Sequence, residues 1–254
     1  MTGVLPIALN EARKLLRFMS KSPKEYVCVM ELHSPVDEAR LREVCSEFVG
    51  PIYQRPPLKA SVKRRLRVRR IYELEVLEVE GRYVLMKVGC EAGTYIRKLC
   101  HDIGVVLGVG AHMKELRRVR SGVFKEDETL VTLHDLKDAY DHWRETGDET
   151  LLRRAVQPME KVVEDVPKIF IRDSAVDAIC HGASLAAPGV LRLTDDVKKG
   201  STVALMTQKG ELVALAIATA SAEEVLEAEH GVVATTKRVI MKPGTYPPMW
   251  RRRA

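Results

Sequence analysis

Cysteine is scarce in this sequence, and its spacing excludes two common uses of the residue. The five cysteines form no Cys-x-x-Cys pair, and none has histidine partners at the spacing of a zinc site. Neither a disulfide framework nor a structural metal centre is therefore indicated, and the thiols are predicted to be buried. The cysteines are Cys28, Cys45, Cys90, Cys100 and Cys180.

Long hydrophobic runs are also lacking. No stretch of about 18 consecutive apolar residues occurs, and the start, Met1–Pro6, lacks the basic-then-apolar layout of a secretory signal. We therefore expect a cytoplasmic protein without a membrane partner. The 254 residues, of which 46% are hydrophobic and 30% charged, provide enough apolar material for one large core or two smaller ones.

Acidic residues are absent between Arg55 and Arg70, where eight basic residues occur. Such a stripe suits a loop that binds a phosphate backbone through charge and counterion release. A solvated charged surface or a localisation sequence is the alternative interpretation. With a net charge of +6, the stripe favours RNA or DNA as a partner. The eight residues are Arg55, Lys59, Lys63, Arg64, Arg65, Arg67, Arg69 and Arg70.

Hydrophobic periodicity predicts alternating helices and strands in the first part of the chain. Gly81 is expected to turn a hairpin, and Thr132 is expected to cap a helix. The predicted strands are Tyr26–Leu32, Ile71–Val79, Tyr83–Val88 and Met113–Val119, and the predicted helices are Asn10–Met19, Val36–Phe48, Leu99–Leu107 and Thr132–Trp143.

From Pro167 onward the pattern changes to short apolar strands separated by glycines. Many short strands at this spacing are typical of a small barrel of about 80 residues. We therefore expect a second domain that begins between residues 160 and 167. Its predicted strands are Ile169–Ile171, Gly189–Leu193, Thr202–Met206, Leu212–Ala218 and Val232–Met241.

Seven short blocks occur in an order and at spacings that resemble one protein family over essentially the whole chain. The blocks are Thr2–Pro6, Lys24–Tyr26, Arg55–Arg65, Gly93–Arg97, Gly110–Met113, Leu116–Arg118 and Arg120–Gly122. They resemble the TruB family of RNA pseudouridine synthases, in its archaeal and eukaryotic, dyskerin-like branch. The resemblance implies an α+β fold. A catalytic domain with a mixed, mainly antiparallel sheet would span 1–163, and a small β-barrel PUA domain would span 164–250.

The resemblance also implies an activity and partners. The expected reaction is isomerisation of uridine to pseudouridine in RNA, without a metal or organic cofactor. The expected RNA is rRNA paired to an H/ACA-type guide RNA, with small H/ACA ribonucleoprotein subunits as protein partners, or else tRNA. Guide-dependent action is preferred because a standalone bacterial enzyme is expected to differ in the loop after Pro57. The predicted RNA-binding residues are Arg55, Lys59, Lys63, Arg64 and Arg65, with Gly182 and Pro188 in the PUA domain.

The chemistry explains why such a site needs particular residue types. The bond between ribose and base nitrogen breaks, the uracil turns and a carbon bond forms, so the target must leave the base stack. An aspartate, a cation that keeps it ionised and an aromatic face for the base are required. By resemblance, Arg97 is that cation and Tyr95 lies beside the reacting sugar and base. Likewise Tyr26 stacks on the flipped uracil, and Leu116 lines the pocket.

Independently of the family, Tyr95 and Arg97 lie two residues apart on a segment interpreted as extended, so their side chains are expected to point the same way. Core packing of Tyr95 and a structural ion pair of Arg97 are the alternatives. Asp102 and His101 do not match the family motif. We interpret Asp102 as a surface or capping acid and do not assign the two residues as a catalytic dyad.

The nucleophilic aspartate of the family is expected a few residues before Met1, and it does not occur in this sequence. The catalytic domain is therefore expected to be incomplete at its N-terminus. Three explanations are open. The start is misplaced or the sequence truncated, a separate chain supplies the segment, or the protein is a catalytically inactive RNA-binding or assembly module.

Overall fold

The protein consists of two compact units. The computed structural model describes residues 2–56, 63 and 65–249. The first unit contains the chain up to Ile7 together with Arg17–Ala155, and the second contains Ala8–Leu16 together with the chain from Val156 onward. The second unit thus begins before the boundary expected at 163 and 164, and it includes a segment from near the N-terminus.

The helices and strands of the described residues are numbered along the chain. The strands are β1 Thr2–Gly3, β2 Lys24–Leu32, β3 Gly50–Gln54, β4 Arg67–Glu80, β5 Tyr83–Cys90, β6 Ala111–Ser121, β7 Phe124–Lys125, β8 Lys168–Ile171, β9 Leu185–Ala186, β10 Val190–Leu193, β11 Thr202–Met206, β12 Leu212–Ala218 and β13 Val232–Val239. The α-helices are α1 Leu16–Met19, α2 Glu38–Glu47, α3 Ile96–Val106, α4 Leu133–Thr146, α5 Thr150–Ala155, α6 Asp173–Cys180 and α7 Ala222–Glu227. The 3-10 helices are Asn10–Leu15, Met159–Val163 and Ala187–Gly189.

A mixed, mainly antiparallel sheet forms the first unit. In the described residues its strands run in the order β1–β6–β2–β5–β4–β3, and β7 pairs with β6. The pairing of β1 with β6 is parallel, and the other pairings are antiparallel. The predicted α+β class and mainly antiparallel sheet are confirmed.

The core of the first unit lies between this sheet and the helices α2 and α3. Every second side chain of β5, namely Val84, Met86 and Val88, is fully buried, as the period of a strand requires. Leu99 and Ile103 of α3 lie four residues apart on one helix face and are also fully buried. All five cysteines are buried free thiols, as predicted.

Two local predictions are confirmed by backbone geometry. Strands β4 and β5 form an antiparallel hairpin, and Gly81 at its turn has φ of 58°, which glycine adopts without a Cβ clash. Thr132 caps α4, because its side-chain oxygen accepts a hydrogen bond from the Asp135 N–H, and the Asp135 side chain accepts one from the Thr132 N–H in return.

The single helix predicted over Asn10–Met19 is wrong. The segment forms a 3-10 helix followed by one α-turn, and within the 3-10 helix only Leu15 is buried. The 3-10 helix is attached to the second unit through Lys14, whose Nζ donates to the Ile240 carbonyl oxygen at 2.9 Å. The segment is therefore held by a polar contact of Lys14, and not by the apolar helix face that the spacing predicted.

Strand β3, Gly50–Gln54, was not predicted. Its Gly-Pro start is typical of loops, but β3 lies at the edge of the sheet, where a residue without an N–H is tolerated. The strand pairs with β4 from Gly50 opposite Ile71 to Gln54 opposite Arg67.

The second unit is built on a six-stranded sheet with the order β10–β8–β11–β12–β13–β9 in the described residues. The two outer strands, β9 and β10, are consecutive in the chain and are joined by the short 3-10 helix Ala187–Gly189. This connection brings the two edges of the sheet together, as in the small barrel that was predicted. The five predicted strands are confirmed, with ends shifted by a residue or two. Within the described part of the chain, none of the helices has the length and hydrophobicity needed to span a membrane.

Candidate functional site

The backbone at Gly3 lies in tight contact with the backbone of β6 at Arg118. Gly3 has φ of 96°, and a Cβ built on it would lie 2.1 Å from the Arg118 carbonyl oxygen. The next residue is fixed to the same place, since the Val4 N–H donates to the Arg118 carbonyl and the Arg118 Nε donates to the Val4 carbonyl, both at 2.7 Å. Only glycine fits at position 3, and the Thr2-Gly3-Val4 segment is held against β6.

Tyr26 and Leu116 lie on the neighbouring strands β2 and β6. Tyr26 pairs with Arg118, and Leu116 pairs with Cys28, two residues further along. Both Tyr26 and Leu116 are half-buried and pack against the core. Burial raises the pKa of the Tyr26 hydroxyl, with a smaller contribution from Cys90, and the positive charge of Arg118 opposes the rise. The phenol therefore stays protonated and uncharged at neutral pH.

Cys90 is the last residue of β5 and directly precedes the loop that carries Tyr95. Burial raises the pKa of the Cys90 thiol to about 11, and hydrogen bonding with Thr94 opposes the rise. Cys90 also raises the pKa of the Tyr26 hydroxyl slightly. Tyr26 pairs with Val88, so it lies near the end of β5, from which the loop 91–95 begins.

Tyr95 ends the loop and is the N-cap residue of α3, with an extended backbone. Its main chain is held by Gln54, which donates from Nε2 to the Tyr95 carbonyl at 3.1 Å and accepts from the Tyr95 N–H at 2.9 Å. Gln54 was not identified from the sequence. The two residues are 41 positions apart, so their contact appears only in the folded chain.

Arg97 lies in the first turn of α3, not on an extended segment. The sequence argument that Tyr95 and Arg97 point the same way as neighbours on a strand is therefore wrong, because the helix begins at Ile96, three residues earlier than predicted. Arg97 is exposed and forms no salt bridge with any residue that the structure describes.

Asp102 and His101 form a local group on α3, as interpreted from the sequence. The Lys98 Nζ lies 2.5 Å from the Asp102 Oδ1, and the His101 Nδ1 lies 3.2 Å from the same oxygen. This is an i,i+4 ion pair on a helix surface, where such pairs stabilise the helix slightly.

The basic stripe divides into exposed and paired residues. Arg55, Lys63 and Arg65 are exposed, whereas Lys59 and Arg64 lie outside the described residues. Arg69 differs from these, because it forms a salt bridge with Glu91 at 3.2 Å and donates to the Gly93 carbonyl at 3.4 Å. Arg69 thus stabilises the loop before Tyr95.

In the second unit, Gly182 and Pro188 are exposed on either side of β9. Gly182 ends α6 with φ of 92°, which few other residues adopt. The Thr236 hydroxyl donates to the Ala183 carbonyl at 2.7 Å and so fixes this loop to β13. The next residue of β13, Lys237, is exposed and adds a positive charge that the sequence prediction did not include.

The chain is similar to known proteins over almost its whole length. Three family models match along the chain: the N-terminal domain of TruB family pseudouridylate synthases over 1–96, the C-terminal domain of tRNA pseudouridylate synthase B over 97–164, and the PUA domain over 167–240. A probable tRNA pseudouridine synthase B of Methanopyrus kandleri is 58% identical over 249 residues, which cover 98% of this chain and 73% of the relative.

The chain belongs to the TruB family. A second TruB relative, the probable tRNA pseudouridine synthase B of Pyrococcus furiosus, is 54% identical over 99% of this chain and 74% of its own length. The predicted family and the predicted PUA domain are thus confirmed.

Solved structures agree with the TruB assignment. A chain in the structure of an H/ACA RNP bound to a substrate RNA containing 2'-deoxyuridine superposes with a TM-score of 0.90 at 52% identity, over 98% of this chain and 75% of that one. A chain of a Cbf5-Nop10-Gar1 complex gives a TM-score of 0.89 at 55% identity, over 96% of this chain and 74% of that one. The likeness covers both units.

Proposed function

We propose that this TruB chain isomerises uridine to pseudouridine in RNA that is paired to an H/ACA-type guide RNA. The observation that carries the proposal is the TM-score of 0.90 with a chain of an H/ACA RNP bound to substrate RNA. Small subunits of the kind named in the Cbf5-Nop10-Gar1 complex are the proposed protein partners. We place the activity in the cytoplasm, as expected from the sequence.

The proposed catalytic residues are Tyr95 and Arg97. Arg97 is exposed in the first turn of α3, where the positive end of the helix dipole adds to its own charge. Both favour the ionised form of an aspartate placed nearby. By the family resemblance, that aspartate is expected in the segment that precedes Met1, and Tyr95 contacts the reacting sugar and base.

Tyr26 and Leu116 are proposed to bind the flipped uracil. The Tyr26 ring is half-buried beside Arg118 and Cys90, so it offers an uncharged aromatic face at the edge of the core, where a base can stack. Leu116, two residues from Arg118 along β6, supplies the apolar wall.

RNA is proposed to bind both units. In the proposed catalytic domain, residues 1–163, the exposed Arg55, Lys63 and Arg65 would contact phosphates, together with Lys59 and Arg64. In the PUA domain, spanning 164–250, the exposed loop residues Gly182 and Pro188 would admit the end of the guide RNA or of a tRNA. Lys237 beside this loop supplies charge.

The experiment that tests the function measures pseudouridine formation on a guide-paired RNA. It compares this chain with a form extended upstream to include the segment in which the aspartate is expected. Activity of either form supports the proposal, and activity of the extended form alone assigns the nucleophile to that segment. Tight RNA binding without activity in both forms would instead favour an RNA-binding or assembly module, and activity on naked tRNA would favour a guide-free enzyme.

A further inference from the structure

Gln54 is a buried polar side chain whose amide oxygen and amide nitrogen both form hydrogen bonds with the same residue. Its exposed fraction is 1%. Its Oε1 accepts from the Tyr95 N–H at 2.9 Å, and its Nε2 donates to the Tyr95 carbonyl at 3.1 Å. A buried amide without partners is costly, so this pairing fixes the amide and the Tyr95 main chain together.

The Tyr95 backbone lacks the usual fixation at the start of a helix. As the N-cap of α3 it makes no side-chain capping hydrogen bond, although N-cap side chains commonly supply one. Its carbonyl accepts from the N–H groups of Lys98 and Leu99, both at 3.0 Å, but its own N–H precedes the helix. Gln54 satisfies this N–H and adds a further bond to the carbonyl.

The rest of the loop is held by other groups. The Thr94 hydroxyl donates to the Glu91 carbonyl at 2.7 Å, and Arg69 pairs with the Glu91 carboxylate. Those contacts end at Thr94. In the described part of the chain, Gln54 is the one side chain that forms a hydrogen bond with the Tyr95 main chain.

We propose that Gln54 is a positioning residue for pseudouridine formation. By fixing both main-chain groups of Tyr95, it sets the direction in which the phenol leaves the backbone and therefore its place beside the reacting nucleotide. Gln54 also precedes Arg55, the first residue of the basic stripe, so the start of the RNA-binding segment and Tyr95 are fixed by one side chain. The inference rests on the proposed function.

The first test uses Gln54→Leu, which has a similar volume but forms no hydrogen bonds. The matched control is Leu41→Ala, which truncates a fully buried side chain of α2 in the core of the first unit. In the upstream-extended protein with its guide RNA, we expect Gln54→Leu to lower the single-turnover rate at saturating RNA about ten- to hundredfold. The Kd for RNA should change less than about twofold. Leu41→Ala should lower the Tm but leave the rate unchanged well below that temperature.

The conservative variant Gln54→Glu provides a second readout. An ionised Glu can accept from the Tyr95 N–H but cannot donate to its carbonyl, whereas a protonated Glu does both. The rate of Gln54→Glu relative to wild type should therefore rise as the pH falls, whereas the relative rate of Gln54→Leu should not. A Gln54→Leu rate equal to that of Leu41→Ala, or a loss confined to RNA affinity, would overturn the proposal.

A third readout separates this inference from the proposed function. Amide hydrogen exchange of Tyr95 should become at least about tenfold faster in Gln54→Leu, while exchange at Ile103, further along the same helix, stays as in wild type. If the wild-type protein forms no pseudouridine, the proposed function fails, and faster exchange would still support fixation of Tyr95 by Gln54. Unchanged exchange at Tyr95 would overturn it.

Discussion

Gly3 is a residue at which both conformation and space require glycine. We expect Gly3→Ala to lower the free energy of unfolding by at least about 1–3 kcal/mol, the usual cost of a strained backbone. The added Cβ would also meet the Arg118 carbonyl at 2.1 Å. Denaturant unfolding of the variant measures the loss.

Gly81→Ala is the matched control for Gly3→Ala. Gly81 also has positive φ, of 58°, but no atom lies within 4 Å of a Cβ built there. Gly81→Ala should therefore lower the free energy of unfolding only by the cost of the left-handed backbone conformation, about 1–2 kcal/mol. Equal losses from the two substitutions would mean that the contact between Gly3 and Arg118 is not tight in solution.

Arg65 tests whether the basic stripe contacts phosphates. Arg65 is exposed, so Arg65→Ala should remove one phosphate contact. We expect the slope of log Kd against log salt concentration to decrease by about 0.7 to 0.9. Filter binding of guide RNA over a range of salt concentrations measures the slope.

Arg40→Ala is the control for Arg65→Ala, since it removes the same charge from α2, where Arg40 pairs with Glu43 at 2.6 Å. Its salt slope should equal that of wild type. An unchanged slope for Arg65→Ala, or the same decrease for both variants, would contradict a phosphate contact at Arg65.

At the scale of elements, the capping box of α4 gives a local prediction. Thr132→Ala removes the oxygen that accepts from the Asp135 N–H at 3.1 Å. The expected loss is about 0.5–2 kcal/mol of unfolding free energy, measured by thermal unfolding. Thr132→Ser keeps the oxygen and should lose much less, so equal losses from the two variants would contradict the capping role.

The segment after β13 is attached to the turn between β11 and β12 through the Glu211 carboxylate. The Tyr246 hydroxyl donates to the Glu211 Oε2 at 2.6 Å, and the Thr207 hydroxyl donates to the same oxygen at 2.8 Å. These two bonds, that from Tyr246 first, lower the pKa of Glu211 below its usual value. A carboxylate with a lowered folded-state pKa contributes stability above its unfolded pKa and loses it as the pH falls through the folded pKa.

Tyr246→Phe should therefore destabilise the protein by about 1 kcal/mol at neutral pH. The difference from wild type should shrink as the pH falls below about 4.5, the ordinary pKa range of a glutamate. Unfolding in urea at several pH values measures the difference in the free energy of unfolding between Tyr246→Phe and wild type. Tyr140→Phe is the control, because the Tyr140 hydroxyl forms no hydrogen bond among the described residues. A Tyr246→Phe loss that is independent of pH would exclude coupling to Glu211.

Elements were predictable from the sequence where local pattern and tertiary packing agree. The alternation of β5 coincides with its buried residues, and the Thr132 cap requires only residues three positions apart. Strand β3 was missed because its Gly-Pro start is a loop pattern, and its edge position is a property of the whole sheet. The start of α3 was placed too late because Tyr95 is held there by Gln54, a residue distant in sequence.

At the scale of the whole molecule, the change to short strands from Pro167 onward predicted a second domain, but no pattern predicted that Ala8–Leu16 belongs to the second unit. That assignment depends on the Lys14 bond to the Ile240 carbonyl and on the pairing of Glu11 with Lys242 at 3.6 Å. Contacts over such separations leave no periodicity in the sequence. The proposed site residues were taken from family motifs, and these motifs do not identify a supporting residue such as Gln54.

RNA binding by both units makes a further prediction for the whole molecule. Arg65 and Lys237 are exposed basic residues of the first and second unit, respectively. If one RNA contacts both, Arg65→Ala and Lys237→Ala should each weaken binding of a full-length guide RNA. The double variant should then lose the sum of the two free energies, as expected for independent contacts.

Binding of a shortened RNA distinguishes one RNA that contacts both units from two RNAs bound at independent sites. An RNA that lacks the end proposed for the PUA domain should remain sensitive to Arg65→Ala but become insensitive to Lys237→Ala, because it cannot reach the second unit. The salt slope should fall by about 0.7 to 0.9 for each phosphate contact that is lost. If the shortened RNA remained equally sensitive to both substitutions, Lys237 would not contact the RNA end, and binding by the second unit would have to be assigned to another of its surfaces.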